Sequence, residues 1–91
     1  MNYSVRLERG AERQLQTLPT DGLKRVDAKL RALTDDPRPR GVRKLQGREV
    51  QGFRVRVGDY RVLYTVDDDA RVVTVYRIDQ RARAYRGGRK G

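Results

Sequence analysis

Apolar and polar residues alternate over positions 2–8 (NYSVRLE), with Tyr3, Val5 and Leu7 on one side. A period of two predicts a strand. Gly10 breaks the pattern. Ala11, Leu15 and Leu18 then recur at helical spacing, which predicts a short helix over 11–18 that Pro19 stops. Thr20 is expected to cap a second helix, with Asp21 near the positive end of its dipole. Leu23, Val26, Leu30 and Leu33 form the apolar stripe of that helix; Lys24, Arg25, Asp27, Lys29 and Arg31 line its other side. Pro37 disfavours helix at the residue before it, so the helix should end by Asp35 and Asp36.

Residues 37–52 (PRPRGVRKLQGREVQG) carry no sustained period and read as a long basic connection, touching the core through Leu45. A loop of that length suggests function. Alternation returns at 53–57 (FRVRV), where Phe53, Val55 and Val57 oppose Arg54 and Arg56. Gly58 and Asp59 signal a tight turn, followed by strand patterns at 60–66 and 71–78 with a turn at Asp67–Ala70 between them. Residues 81–86 are helical or extended, and 87–91 are expected to fray. The element order β-α-α-β-β-β predicts an α+β fold: a two-helix hairpin on one face of a four-stranded, mainly antiparallel sheet, forming a single domain over 1–91. The second sheet face is then at least partly solvated.

Composition adds chemistry to this outline. Of 91 residues, 37% are charged and the net charge is +10, from 18 arginines and 4 lysines against 12 acidic residues. A phosphate-rich or acidic partner follows from such a balance. Arginine grips phosphate with two parallel donors and stacks on bases. Cysteine and histidine are both absent, which excludes thiolate nucleophiles, zinc fingers and histidine acid–base catalysis. The first ten residues lack the apolar run of a signal peptide, and no segment approaches the roughly 20 apolar residues of a membrane span. A soluble, cytoplasmic protein is expected, with no membrane contact and no cofactor. Asp67, Asp68 and Asp69 read as a polar turn, since no matching His or Glu motif completes a metal site.

Arg54 and Arg56 fall on one side of one strand, about 7 Å apart. Arg61 lies just beyond the turn, and Arg77, Arg81 and Arg83 cluster at the far end of the meander, followed by Tyr85. Such a basic face with an aromatic beside it suits single-stranded RNA. An ordinary solvated sheet face would show the same alternation, and composition does not choose RNA over DNA.

Residues 44–64 (KLQGREVQGFRVRVGDYRVLY) resemble the core of the RelE/ParE toxin superfamily: KL-x-G, a spacer, an aromatic followed by alternating basic and apolar residues, then G-x-YR-x-x-Y. The tail VVTVYRIDQRARAYR is similar to the family's last strand and basic-aromatic end. What the resemblance implies is a toxin neutralised by a partner antitoxin. For RelE-type members it implies cleavage of mRNA on the ribosome, the RNA 2′-hydroxyl attacking the adjacent phosphate. The products carry a 2′,3′-cyclic phosphate and a 5′-hydroxyl. ParE-type members instead poison DNA gyrase, and an inactive basic RNA-binding relative is a third possibility.

Matched residue by residue, the resemblance assigns catalytic roles to Arg54, Arg61, Arg81 and Tyr85. Arg56, Arg77, Arg83 and Lys44 become candidates for contact with RNA or the ribosome. Two departures bear on chemistry. Arginine stands at 54 and 56 where members often carry lysine, and Asp79–Gln80 stands where many have glycine and histidine. Arginine effectively cannot give up its proton, so the proton acceptor for the 2′-hydroxyl stays open among a water, a ribosomal group and, less directly, Tyr85.

Overall fold

Alternation at the start of the chain becomes β1 (Ser4–Leu7), and the helical stripes become α1 (Arg9–Gln16) and α2 (Thr20–Leu33). The structure is a computed structural model and describes residues 2–45 and 52–80. Then follow β2 (Arg43–Lys44), β3 (Phe53–Val57), β4 (Tyr60–Asp67) and β5 (Val72–Asp79). They form one five-stranded sheet in the order β1-β5-β4-β3-β2. β1 runs parallel to β5, and the other neighbours are antiparallel. The α+β architecture with a helical hairpin is as the sequence predicts. The strand count differs by one: β2 is a fifth strand inside the expected loop. Its two residues, both basic, give no alternation to read.

α2 begins differently from expectation. Pro19, extended at φ −59° and ψ 158°, holds the cap position, and Thr20 is the first helical residue. The Pro19 carbonyl accepts from the Leu23 amide at 2.8 Å. Proline has no side-chain acceptor, so this end relies on backbone alone. α1 opens on Glu8 and takes Gly10 into its first turn.

The helices cover one sheet face. Ala11, Leu18, Val26, Leu30 and Leu33 meet Val55, Val57, Val62, Tyr64, Val73, Val75 and Ile78 in the core. Each fully buried valine or leucine contributes about 1.5–3 kcal/mol. Leu15 and Leu23 pack at the margin of the cluster. Gly22 brings α2 close to the sheet, since a Cβ there would collide with the Tyr60 ring. α1 also satisfies the sheet edge beyond the end of β1: the Ile78 amide donates to Gln14 Oε1 at 2.8 Å.

The turn between β4 and β5 is built by its acidic residues. Asp67 accepts from the Ala70 amide at 3.0 Å. Asp68 takes the Tyr3 hydroxyl at 2.6 Å and a two-pronged contact from Arg38 at 2.8 and 3.2 Å. Arg71 completes the turn at φ 59°, and its guanidinium lies over the Tyr3 ring. No helix among the described residues is long and apolar enough to cross a membrane.

Candidate nucleic-acid interface

Register decides which side chains share the face away from the helices. Directly opposed residues of neighbouring strands project to the same side. One row across the sheet is Arg43, Arg54, Leu63 and Arg77; the next is Arg56, Arg61 and Asp79. Arg6 of β1 opposes Thr74 further along the same side. Four of the arginines singled out from sequence, Arg54, Arg56, Arg61 and Arg77, therefore share one face. Leu63, only 8% exposed, sits between Arg54 and Arg77. Arginine stems flanking it provide apolar cover while their charged ends reach outward.

The pairing of β4 with β5 shifts register between Leu63 and Tyr64. Leu63 opposes Arg77 while Tyr64 opposes Val75, so Tyr76 is an extra residue on β5. This bulge is why the buried residues of β5 change spacing from two (Val73, Val75) to three (Ile78). It also brings Arg77 and Asp79 into line with β4. Burial raises the Tyr76 phenol above its ordinary pKa.

Asp79 is the anion within this basic surface. Its Oδ2 accepts from Arg61 Nη2 at 3.2 Å and its Oδ1 from Arg77 Nε at 2.9 Å. The Arg61 and Asp79 side chains are 23% and 20% exposed, whereas Arg77 is 58% exposed. Arg61 Nε is buried and has no hydrogen-bond acceptor among the described residues. At the other side of the surface, Gly41, Arg43, Arg54 and Arg56 line a shallow cavity of about 200 Å³. Arg43 and Arg56 are exposed and make no ion pair among the described residues.

Lys44 stands apart. It opposes Phe53, so it shares the side of the core residues at the sheet edge, not the arginine side. Its neighbour Arg43, which the sequence reading does not single out, lies across from Arg54 instead. The signal that finds Arg43 is strand register, and a two-residue strand hides it. Arg81, Arg83 and Tyr85 lie outside the described residues.

What the described residues of this surface offer is guanidinium charge, with one carboxylate, Asp79, held between Arg61 and Arg77. Guanidiniums bind and neutralise phosphate oxygens and remain protonated throughout.

Comparison with known proteins gives this geometry a family. The model of the ParE toxin family of type II toxin–antitoxin systems matches residues 5–85. The toxin RelG of Mycobacterium tuberculosis is 39% identical over 88 residues, covering 94% of this chain and 99% of that relative. A chain of the archaeal RelE–RelB complex from Pyrococcus horikoshii has the same fold, with a TM-score of 0.79 and 32% identity over 91% of this chain and 99% of that one. A chain of the RelBE2 toxin–antitoxin complex of M. tuberculosis gives a TM-score of 0.76 and 36% identity, covering 87% and 98%. With a ParE-family match across most of its length and relatives that carry RelE-type names, the chain belongs to the RelE/ParE superfamily and is a toxin of a toxin–antitoxin system.

Proposed function

We propose that this toxin is a ribosome-dependent mRNA endonuclease held in check by a cognate antitoxin. The observation that carries the reading is the gathering of Arg54, Arg56, Arg61 and Arg77 from three strands onto one sheet face. Similarity to RelG, and to chains solved as RelE–RelB and RelBE2 toxin–antitoxin complexes, supports the RelE side of the superfamily and the antitoxin partner. The site of action is the cytoplasm, where ribosomes and mRNA are.

In this mechanism Arg54, Arg61 and Arg81 hold the scissile phosphate. The RNA 2′-oxygen attacks phosphorus and the bond to the 5′-oxygen breaks. The hydroxyl proton passes to a water or a ribosomal group, and a water or ribosomal group likewise gives a proton to the leaving 5′-oxygen. The products are a 2′,3′-cyclic phosphate and a 5′-hydroxyl. Arginines stabilise the charge gathering on the phosphate oxygens, and the ribosome holds the mRNA in an attack-ready shape. Arg56, Arg77 and Arg83 contact RNA along the strand, Lys44 contacts the ribosome from the sheet edge, and Tyr85 stacks on a base.

Mapping mRNA 5′ ends after brief induction tests the proposal. Cuts inside translated codons are expected, and the Arg61→Ala protein should cut about 100–1,000-fold more slowly, the loss typical of one transition-state donor. Intact mRNA under growth arrest would overturn it. The ParE family match favours one other reading, inhibition of DNA gyrase without RNA chemistry. Loss of supercoiling by purified gyrase, with mRNA untouched, would select it.

A further inference from the structure

We infer that Asp79 is a resident substitute for phosphate: it fills an anion site made by Arg61 and Arg77, and a nucleic-acid phosphate must displace it to bind there. The inference rests on the reading of the arginine face as an RNA surface. It gives Asp79 a role in specificity and Arg77 a role as the second arm of the site.

The contacts of Asp79 divide one carboxylate between two guanidiniums. Oδ2 meets Arg61 Nη2 at 3.2 Å, and Oδ1 meets Arg77 Nε at 2.9 Å. In arginine, Nε–H and Nη2–H lie along one edge and point the same way, so an anion aligned with that edge accepts from both. Asp79 engages only one of the two, because its other oxygen is committed to Arg77. The result is the buried Arg61 Nε without an acceptor among the described residues. A buried donor left unpaired is unfavourable and is normally matched by a ligand, a water or a neighbouring group.

A phosphodiester is not tethered to β5 as Asp79 is. Its two unesterified oxygens can lie along the Arg61 edge, recover the unpaired donor and still receive Arg77. Displacement therefore gains a hydrogen bond that the resident pair lacks. Until that happens, Asp79 cancels positive charge at the centre of the face. Isolated anions then compete against an intramolecular partner. An RNA strand also held by Arg54, Arg56 and Arg43 brings its phosphate to the site at high local concentration and prevails. The resident carboxylate thus suppresses capture of arbitrary polyanions by a chain of net charge +10.

The test is binding of the full chain to a single-stranded RNA oligonucleotide whose 2′-O-methyl riboses prevent cleavage. Asp79→Asn should bind about tenfold more tightly, the size of one charge-assisted contact. Its log affinity should fall more steeply with log salt, by about 0.7 for each arginine released to phosphate. Asp27→Asn is the control. It changes net charge equally but lies on α2, paired with Arg31, and should alter affinity less than about twofold. Should the asparagine variant fail to fold, Asp79→Ser must show the same direction.

A variant at Asp79 that folds and binds no better than the control overturns the inference. That result would make Asp79 a residue that aligns the arginines instead of masking them. The outcomes separate from those of the proposed function. Tighter binding without any ribosome-dependent cleavage removes the nuclease reading and leaves the masked site standing. Cleavage by the parent protein, with no gain of binding in Asp79→Asn, does the reverse.

Discussion

The Tyr64 phenol donates a 2.7 Å hydrogen bond to the Pro37 carbonyl and so ties the middle of the sheet to the chain leaving α2. Tyr64 is fully buried, in the core that carries the arginine face on its other side. Its ring packs 5.8 Å from that of Phe53, over which the Arg38 guanidinium lies. Removing the hydroxyl leaves the Pro37 carbonyl without this donor. Tyr64→Phe should lower stability by about 1–2 kcal/mol, measured by denaturant unfolding.

The same residue predicts an alkaline limit. Burial pushes the Tyr64 phenol from 10.0 up to about 12. In the unfolded chain it ionises first, so the folded state holds more protons between those values and stability falls as pH rises through them. The contribution is fully present below pH 10 and lost on approaching 12. Unfolding midpoints recorded through this range should drop less in Tyr64→Phe than in the parent.

Asp68 predicts an acid limit. Hydrogen bonds from Arg38, and next from Tyr3, hold its carboxyl below the ordinary value of 3.8. The folded state thus favours the carboxylate. Its stabilisation is present above that ordinary value and is lost as pH falls through the lowered one. The difference in melting temperature between neutral and strongly acid solution should shrink in Asp68→Asn. An unchanged difference would remove the Arg38–Asp68–Tyr3 cluster as its source.

Gly52 predicts a backbone effect. Its φ is +99°, and a Cβ there would strike the Tyr64 carbonyl. Its own carbonyl accepts from the Leu45 amide at 2.8 Å, next to β2. Gly52→Ala should cost about 1–3 kcal/mol through strain. Faster amide exchange at Leu45 should accompany that loss.

Arg56 predicts a salt effect. It is exposed and free of ion pairs among the described residues. If it meets one RNA phosphate, Arg56→Ala should make the slope of log affinity against log salt shallower by about 0.7. Melting temperature should stay near that of the parent, since no core contact is lost.

Long periodic segments were legible from sequence because burial imposes the period. Val55 and Val57, or Val26, Leu30 and Leu33, face the core for the same reason that they recur at two or at three and four. Arg54 and Arg56 were legible by the converse rule. What escaped was everything that register decides. The partner of β1 leaves no pattern in the chain, and the bulge at Tyr76 leaves only the wider step from Val75 to Ile78, yet the bulge sets which residues of β5 accompany Arg61. Arg43 and Lys44 are chemically alike and adjacent, and only pairing with β3 separates their faces. Asp79 was visible as an unusual residue, but its bridge to two arginines needed coordinates. Thr20 misled because a hydroxyl beside a helix start suggests a cap, while Pro19 already holds the required extended backbone.

Parallel pairing of β1 with β5 joins Ser4 to Val72 and Leu7 to Val75. β1 is therefore without this partner until β5 exists. Contacts of such separation are closed late and slowly. The row holding Arg61 and Asp79 likewise waits for β5. During translation, then, a chain that has not yet reached β5 owns Arg54, Arg56 and Arg61 but not the row that sets Arg61 beside Asp79.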